Sequence, residues 1–156
     1  MQTLKSVSGR LKQLFLGSDP CSQTVEPHLL IVDDEESICF SMSEYFSQHG
    51  FKVDIAHEIE EAEALLEKTE YEAVIQDLRL DFTRQPGGIE IIKLVHSRTP
   101  NTRIVVLTSY GSRELEEMAR EAGADAFLRK PKPLSQVAQV VHGLLDSPRK
   151  QMPRSV

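Results

Sequence analysis

The sequence predicts an α/β fold: a doubly wound, five-stranded parallel sheet with helices on both faces. Three observations carry this. Short apolar runs alternate with amphipathic stretches five times; the runs are too brief for helices; and several end in charged or hydroxyl residues. Strict alternation of this kind implies a parallel sheet with right-handed crossovers. Two doubly wound strand orders are common, and periodicity does not choose between them.

The first run, Leu29 to Val32, ends in Asp33-Asp34-Glu35-Glu36. Ile38, Met42, Tyr45 and Phe46 then recur at helical spacing, and His49-Gly50 closes that helix with a glycine suited to a left-handed cap. Phe51, Val53 and Ile55 alternate with Lys52 and Asp54, as in a strand with one polar face. Glu58 to Lys68 sets Ile59, Ala62, Leu65 and Leu66 among glutamates, an amphipathic helix with an acidic, solvated outer face. Ala73-Val74-Ile75-Gln76 is a buried strand that delivers Asp77 at its C-terminal tip. A loop from Asp81 to Gly88 precedes a helix whose inner side carries Ile89, Ile92, Val95 and His96, and Thr99-Pro100-Asn101 stops it. Ile104 to Leu107 is an apolar strand ending at Thr108-Ser109. Leu115, Met118, Ala119 and Ala122 mark the next helix, capped by Gly123. Ala126 to Leu128 is the last strand, ending at Arg129-Lys130-Pro131, and Leu134 to Leu145 the last helix.

Outside this series lie two tails. Residues 1–27 place Leu4, Val7, Leu11, Leu14 and Phe15 at helical spacing with Lys5, Arg10 and Lys12 between them, followed by a Ser/Thr/Pro linker. This N-terminal amphipathic helix or tail has three uses open to it: packing on its own domain, docking a partner or second copy, and lying on a membrane surface. Residues 147–156 form a basic tail, leaving 28–146 as the single domain. The chain of 156 residues is 40% apolar and 27% charged, with net charge −6. The tails hold six of the 18 bases and two of the 24 acids, so the body is more acidic than the total shows. An acidic body disfavours unspecific nucleic-acid binding. No apolar run approaches a membrane span and the N-terminus has no continuous apolar leader, so a cytoplasmic location is expected. Cys21 and Cys39 stand at no metal or redox spacing, and His28, His49, His57, His96 and His142 show no ligand spacing.

The chemistry is at the strand tips. In a parallel sheet all C-terminal tips lie on one edge, so Asp33, Asp34, Asp77, Thr108, Ser109 and Lys130 can converge. Each alone has an ordinary use: Asp33-Asp34 as acids at a helix start, Thr108 as a strand-end hydroxyl, Lys130 as a surface lysine. Together they are unusual. Three nearby carboxylates repel, and a hard divalent cation such as Mg²⁺ relieves that repulsion through oxygen ligands. A lysine and a hydroxyl add a point charge and a hydrogen bond for an incoming phosphoryl group. Such a place suits attack by an aspartate on phosphorus, giving an aspartyl phosphate.

These residues resemble the receiver domain of bacterial two-component response regulators over roughly residues 28–146. The matching pieces are Leu30-Ile31-Val32-Asp33-Asp34-Glu35, Val74-Ile75-Gln76-Asp77-Leu78, Val106-Leu107-Thr108-Ser109-Tyr110-Gly111 and Gly123-Ala124-Asp125-Ala126-Phe127-Leu128-Arg129-Lys130-Pro131. The resemblance implies the flavodoxin-like strand order 2-1-3-4-5. It implies that Asp77 accepts phosphate from a sensor histidine kinase or a histidine phosphotransfer protein. Asp34 would bind Mg²⁺ directly and Asp33 through water, with Asp77 and the Arg79 carbonyl completing the protein ligands. Thr108 and Lys130 would hold the phosphoryl group, and Lys130–Pro131 would be cis. The phosphate would then bias a two-state protein-binding surface for an unidentified downstream target. The module is expected to be stand-alone and not an enzyme with a turnover substrate.

The chain also departs from the family pattern. Leu80-Asp81 replace the usual Met-Pro after the acceptor, and Gly88 stands eleven positions after Asp77, so the loop is about three residues longer. Phe127 keeps the ring of the usual switch tyrosine and loses its hydroxyl. Arg79 and Tyr110 flank the site, and bulky Tyr110 is expected to slow phosphate loss by hindering water. Two other functions compete. An aspartyl-phosphate phosphatase commonly has a second aspartate two residues on, where this chain has Arg79. An unphosphorylated binding scaffold would normally have lost an acidic or lysine position, and none is lost. Self-association through the N-terminal segment is a further expectation.

Overall fold

The computed structural model describes residues 25–78 and 87–148. The elements run β1 (His28–Val32), α1 (Glu36–Gln48), β2 (Lys52–Ala56), α2 (Ile59–Lys68), β3 (Ala73–Gln76), α3 (Gly87–Arg98), β4 (Arg103–Thr108), α4 (Arg113–Ala122), β5 (Ala126–Arg129) and α5 (Leu134–Asp146). The expected helix in residues 1–16, most of the linker, Arg79 and nearly all of the basic tail lie outside the described residues. No described helix is long and apolar enough to cross a membrane.

All strand pairs are parallel, in the order β2-β1-β3-β4-β5. This is the flavodoxin-like order, and it leaves β1 and β3 adjacent at the centre. Leu30 pairs with both Asp54 and Val74, and Val74 with Ile104. Such central strands are buried on both faces, and for this reason β1, β3 and β4 read as continuous apolar runs rather than alternating ones.

Alternation reappears in which face each residue serves. Leu30, Val32, Val74, Ile104 and Val106 pack with Ala62 of α2, Ile89, Ile92 and Val95 of α3, and Ala119 of α4. Leu29, Ile31, Ala73, Ile75, Val105 and Leu107 pack with Cys39, Met42 and Phe46 of α1 and Val137 and Val141 of α5. Each fully buried Leu, Ile or Val contributes about 1.5–3 kcal/mol. The sheet therefore sits as a rigid layer between two apolar slabs, and its edges are left to carry the polar groups.

Helix α3 starts earlier than the sequence suggests. Gly87 and Gly88 belong to its first turn, and both are buried. A Cβ on Gly88 would stand 2.7 Å from the Leu78 Cα and 2.8 Å from the Asp77 carbonyl oxygen. The glycine is needed here for space.

Candidate functional site

The C-terminal edge of the sheet is built by extending each strand ladder one step. The Asp33 N–H donates to the Ala56 carbonyl at 3.1 Å and the Asp77 N–H to the Val32 carbonyl at 2.9 Å. The Lys130 N–H donates to the Thr108 carbonyl at 2.9 Å. These bonds tie the tips of β1, β2 and β3 to one another and the tip of β5 to that of β4, so their side chains have little freedom of approach.

Asp33, Asp34 and Asp77 each bring a carboxylate oxygen within 4.8 Å of the others. Asp33 and Asp77 are buried and Asp34 is exposed. Lys130 lies between the two buried acids, its Nζ 2.6 Å from Asp33 Oδ2 and 3.0 Å from Asp77 Oδ2. The second oxygen of Asp33 accepts the Glu35 N–H at 2.9 Å, in the turn that starts α1. Acids there also face the positive end of the α1 dipole.

Electrostatics follow from burial. Desolvation pushes the Asp33 carboxyl above its ordinary 3.8, against the pull of the Lys130 ammonium and the Glu35 N–H. For Lys130, burial acts to lower the pKa, but the Asp33 hydrogen bond and the Asp77 charge outweigh it and raise it above 10.5. Three carboxylates against one ammonium leave an excess of negative charge. Three converging carboxylates, one of them exposed, form a donor set that suits a hard oxygen-seeking cation.

Of the other expected residues, Thr108 closes β4 beside Lys130 through the backbone, and Arg79 lies outside the described residues. Thr108 is fully buried at the end of β4, and its hydroxyl accepts the Tyr110 N–H at 3.3 Å. Tyr110 itself is half exposed. The Lys130–Pro131 bond is cis, as the resemblance implies. Phe127 packs, partly buried, against the α2/α3/α4 side of the core.

Three residues near the site had no role in the sequence reading. The Cys39 thiol donates to the Asp33 carbonyl at 3.1 Å, and desolvation pushes it up to about 11. The His57 ring nitrogen Nδ1 lies 3.1 Å from the same carbonyl. Neither has a spacing signal, because both reach Asp33 only through packing. Gln76 is the third, a fully buried amide next to the acceptor, and its signal was visible as the one polar residue in an apolar strand.

Comparison with known proteins fits this edge. The response regulator receiver domain pattern matches residues 29–142. The chain belongs to the response regulator receiver domain family. Receiver domains of this kind are phosphoacceptor signalling modules of two-component systems; they take phosphate from histidine kinases or phosphotransfer proteins and bind a divalent metal at the acidic pocket. Among similar curated proteins, the photosynthetic apparatus regulatory protein RegA of Cereibacter sphaeroides is 31% identical over 75% of this chain and 60% of its own length. The acid tolerance regulatory protein ActR of Rhizobium meliloti is 32% identical over 66% of this chain and 52% of its own. The chain thus spans little more than half the length of these relatives. A response regulator from Burkholderia pseudomallei, solved with a phosphorylated aspartic acid, a calcium ion and citrate, superposes with TM-score 0.68 at 27% identity. That match covers 74% of this chain and 66% of the other. A CheY-like receiver domain from Methanospirillum hungatei gives TM-score 0.72 at 28% identity, covering 77% of this chain and 94% of the other.

Proposed function

We propose that Asp77 is the phosphoacceptor and that Mg²⁺ is the cation that serves it. The observation that carries this reading is the Lys130 ammonium held at 3.0 Å from Asp77 beside two further carboxylates. An Asp77 oxygen attacks the phosphorus of a phosphohistidine, the P–N bond breaks, and the histidine leaves with its electron pair. Lys130 neutralises charge on the transferred group, and the Thr108 hydroxyl supplies a hydrogen bond once it turns from the Tyr110 N–H. Asp34 and Asp77 would hold Mg²⁺ directly and Asp33 through water, with the Arg79 carbonyl as a further ligand. When bound, the metal would supply positive charge that lets two anions approach.

The donor is a sensor histidine kinase or a histidine phosphotransfer protein, and the chain works with it in the cytoplasm. The output is a protein-binding surface read by a downstream target, and no separate turnover substrate belongs to this reading. Support comes from the four sequence pieces in family order and from their convergence on one edge. The test is covalent. With Mg²⁺ and a small acyl-phosphate donor, the protein gains one acid-stable, base-labile phosphoryl group, and Asp77→Asn gains none. Equal labelling of Asp77→Asn, or an unlabelled parent, would sink the mechanism.

A further inference from the structure

We infer that Gln76 is a positioning residue for the phosphoacceptor, acting by bolting the first turn of α3 to the peptide of Asp77; this rests on the reading of Asp77 as the acceptor. Gln76 is fully buried in β3, between Val32 and Val106 in the strand register. Those two valines belong to the apolar cluster under α2, α3 and α4. An amide in that cluster is unfavourable unless its polar atoms find partners. Its Nε2 finds one, donating to the Gly88 carbonyl at 2.5 Å. Its Oε1 is buried with no hydrogen-bond partner among the described residues. Burying an amide costs desolvation that an apolar side chain of the same volume would not, so packing alone gives no reason for a glutamine here.

What the amide achieves is geometric. Gly88 lies so close to Asp77 and Leu78 that a Cβ on it would meet the Leu78 Cα at 2.7 Å and the Asp77 and Leu78 carbonyl oxygens at 2.8 and 3.0 Å. The start of α3 is thus seated against the backbone that carries the acceptor carboxylate. Residues 79–86 connect Leu78 to Gly87 in the sequence. The Gln76–Gly88 bond closes the same join directly, one residue before Asp77. Displacing α3 by a fraction of an ångström moves the Asp77 carbonyl, and with it the carboxylate held by Lys130.

The test compares phosphorylation kinetics with stability. Gln76→Met keeps nearly the same volume and removes both polar atoms. The expected result is a thermal midpoint close to the parent's, because the lost hydrogen bond to the Gly88 carbonyl offsets the relief of no longer burying an amide, and a rate constant at saturating acyl-phosphate and Mg²⁺ about tenfold lower, with the donor half-saturation unchanged. Gly88→Ala, which disturbs the same seat from the other side, lowers the same rate constant, and the double variant loses less than the product of the two effects. A parental rate in Gln76→Met overturns the inference. So does a rate loss that simply tracks falling thermal midpoints across Gln76→Met, Gln76→Leu and Gln76→Ala, since that assigns Gln76 to packing alone. A parent that takes no label removes the acceptor reading and this one with it.

Discussion

Asp54, on strand β2, shows what a single residue can do away from the acidic edge. Its carboxylate accepts the Tyr71 hydroxyl at 2.7 Å and faces His28 Nε2 at 2.8 Å, at the opposite end of the sheet from Asp77. Tyr71 is almost fully buried, and its phenol is raised above 10.0, first by desolvation and then by the Asp54 hydrogen bond and charge. A folded pKa above the unfolded one favours the native state only while the group stays protonated in both. The contribution is therefore fully present below pH 10 and is lost as pH rises toward the folded value. Tyr71→Phe should cost about 1–2 kcal/mol at neutral pH, because Asp54 loses a donor. It should also flatten the fall in stability above pH 10, and urea melts from pH 7 to 11 check both. Unchanged alkaline slopes would show that Tyr71 is not the titrating group. This triad was not legible in the sequence: residues 28, 54 and 71 meet only once β1 pairs with β2 and β3. The acidic site was legible, since parallel strands send every C-terminal tip to one edge and the residue types there are chemically distinctive.

At the scale of elements, strands were easier to read than helix ends. Ala73 to Gln76 is short, apolar except for Gln76, and buried on both faces, so pattern and structure agree closely. The α3 start was missed because glycine is usually a sign of chain freedom, whereas Gly88 answers to a steric demand from Leu78 that no local pattern encodes. Gly123 combines both demands. It ends α4 at φ 125°, donating its N–H to Ala119 and Arg120, and a Cβ there would stand 2.7 Å from the His96 ring of α3. Gly123→Ala should therefore cost about 1–3 kcal/mol in urea unfolding, through backbone strain and through pressure on the α3–α4 seam. His96→Ala in the same chain should return only the steric part. Full recovery in the double variant would mean that the positive φ carries no penalty, and no recovery would mean that the ring is not the obstacle.

For the whole molecule, rigidity and charge are separated in space. Two apolar slabs hold the sheet, while its C-terminal edge gathers Asp33, Asp34 and Asp77, with Asp33 and Asp77 paired to one ammonium. This edge opposes folding in proportion to its unbalanced charge, and a cation that binds only the native arrangement removes that opposition. The linkage has a definite sign. A ligand bound by the folded state alone adds about 2.7 kcal/mol when present at roughly a hundred times its dissociation constant. For a domain of this size that corresponds to a rise in Tm on the order of 10 °C. Mg²⁺ titrated at constant ionic strength should raise Tm along a saturating curve, whereas added monovalent salt should give only a small, unsaturated change from screening. Ca²⁺ should act in the same direction, because both are hard ions taking oxygen ligands. Asp34→Asn removes the exposed carboxylate without disturbing the Lys130 contacts, so its Tm should start higher than the parent's and respond weakly to either ion. Scanning calorimetry of both proteins decides it: a parent indifferent to divalent ions, or an Asp34→Asn chain that responds as strongly as the parent, would detach the acidic cluster from metal binding.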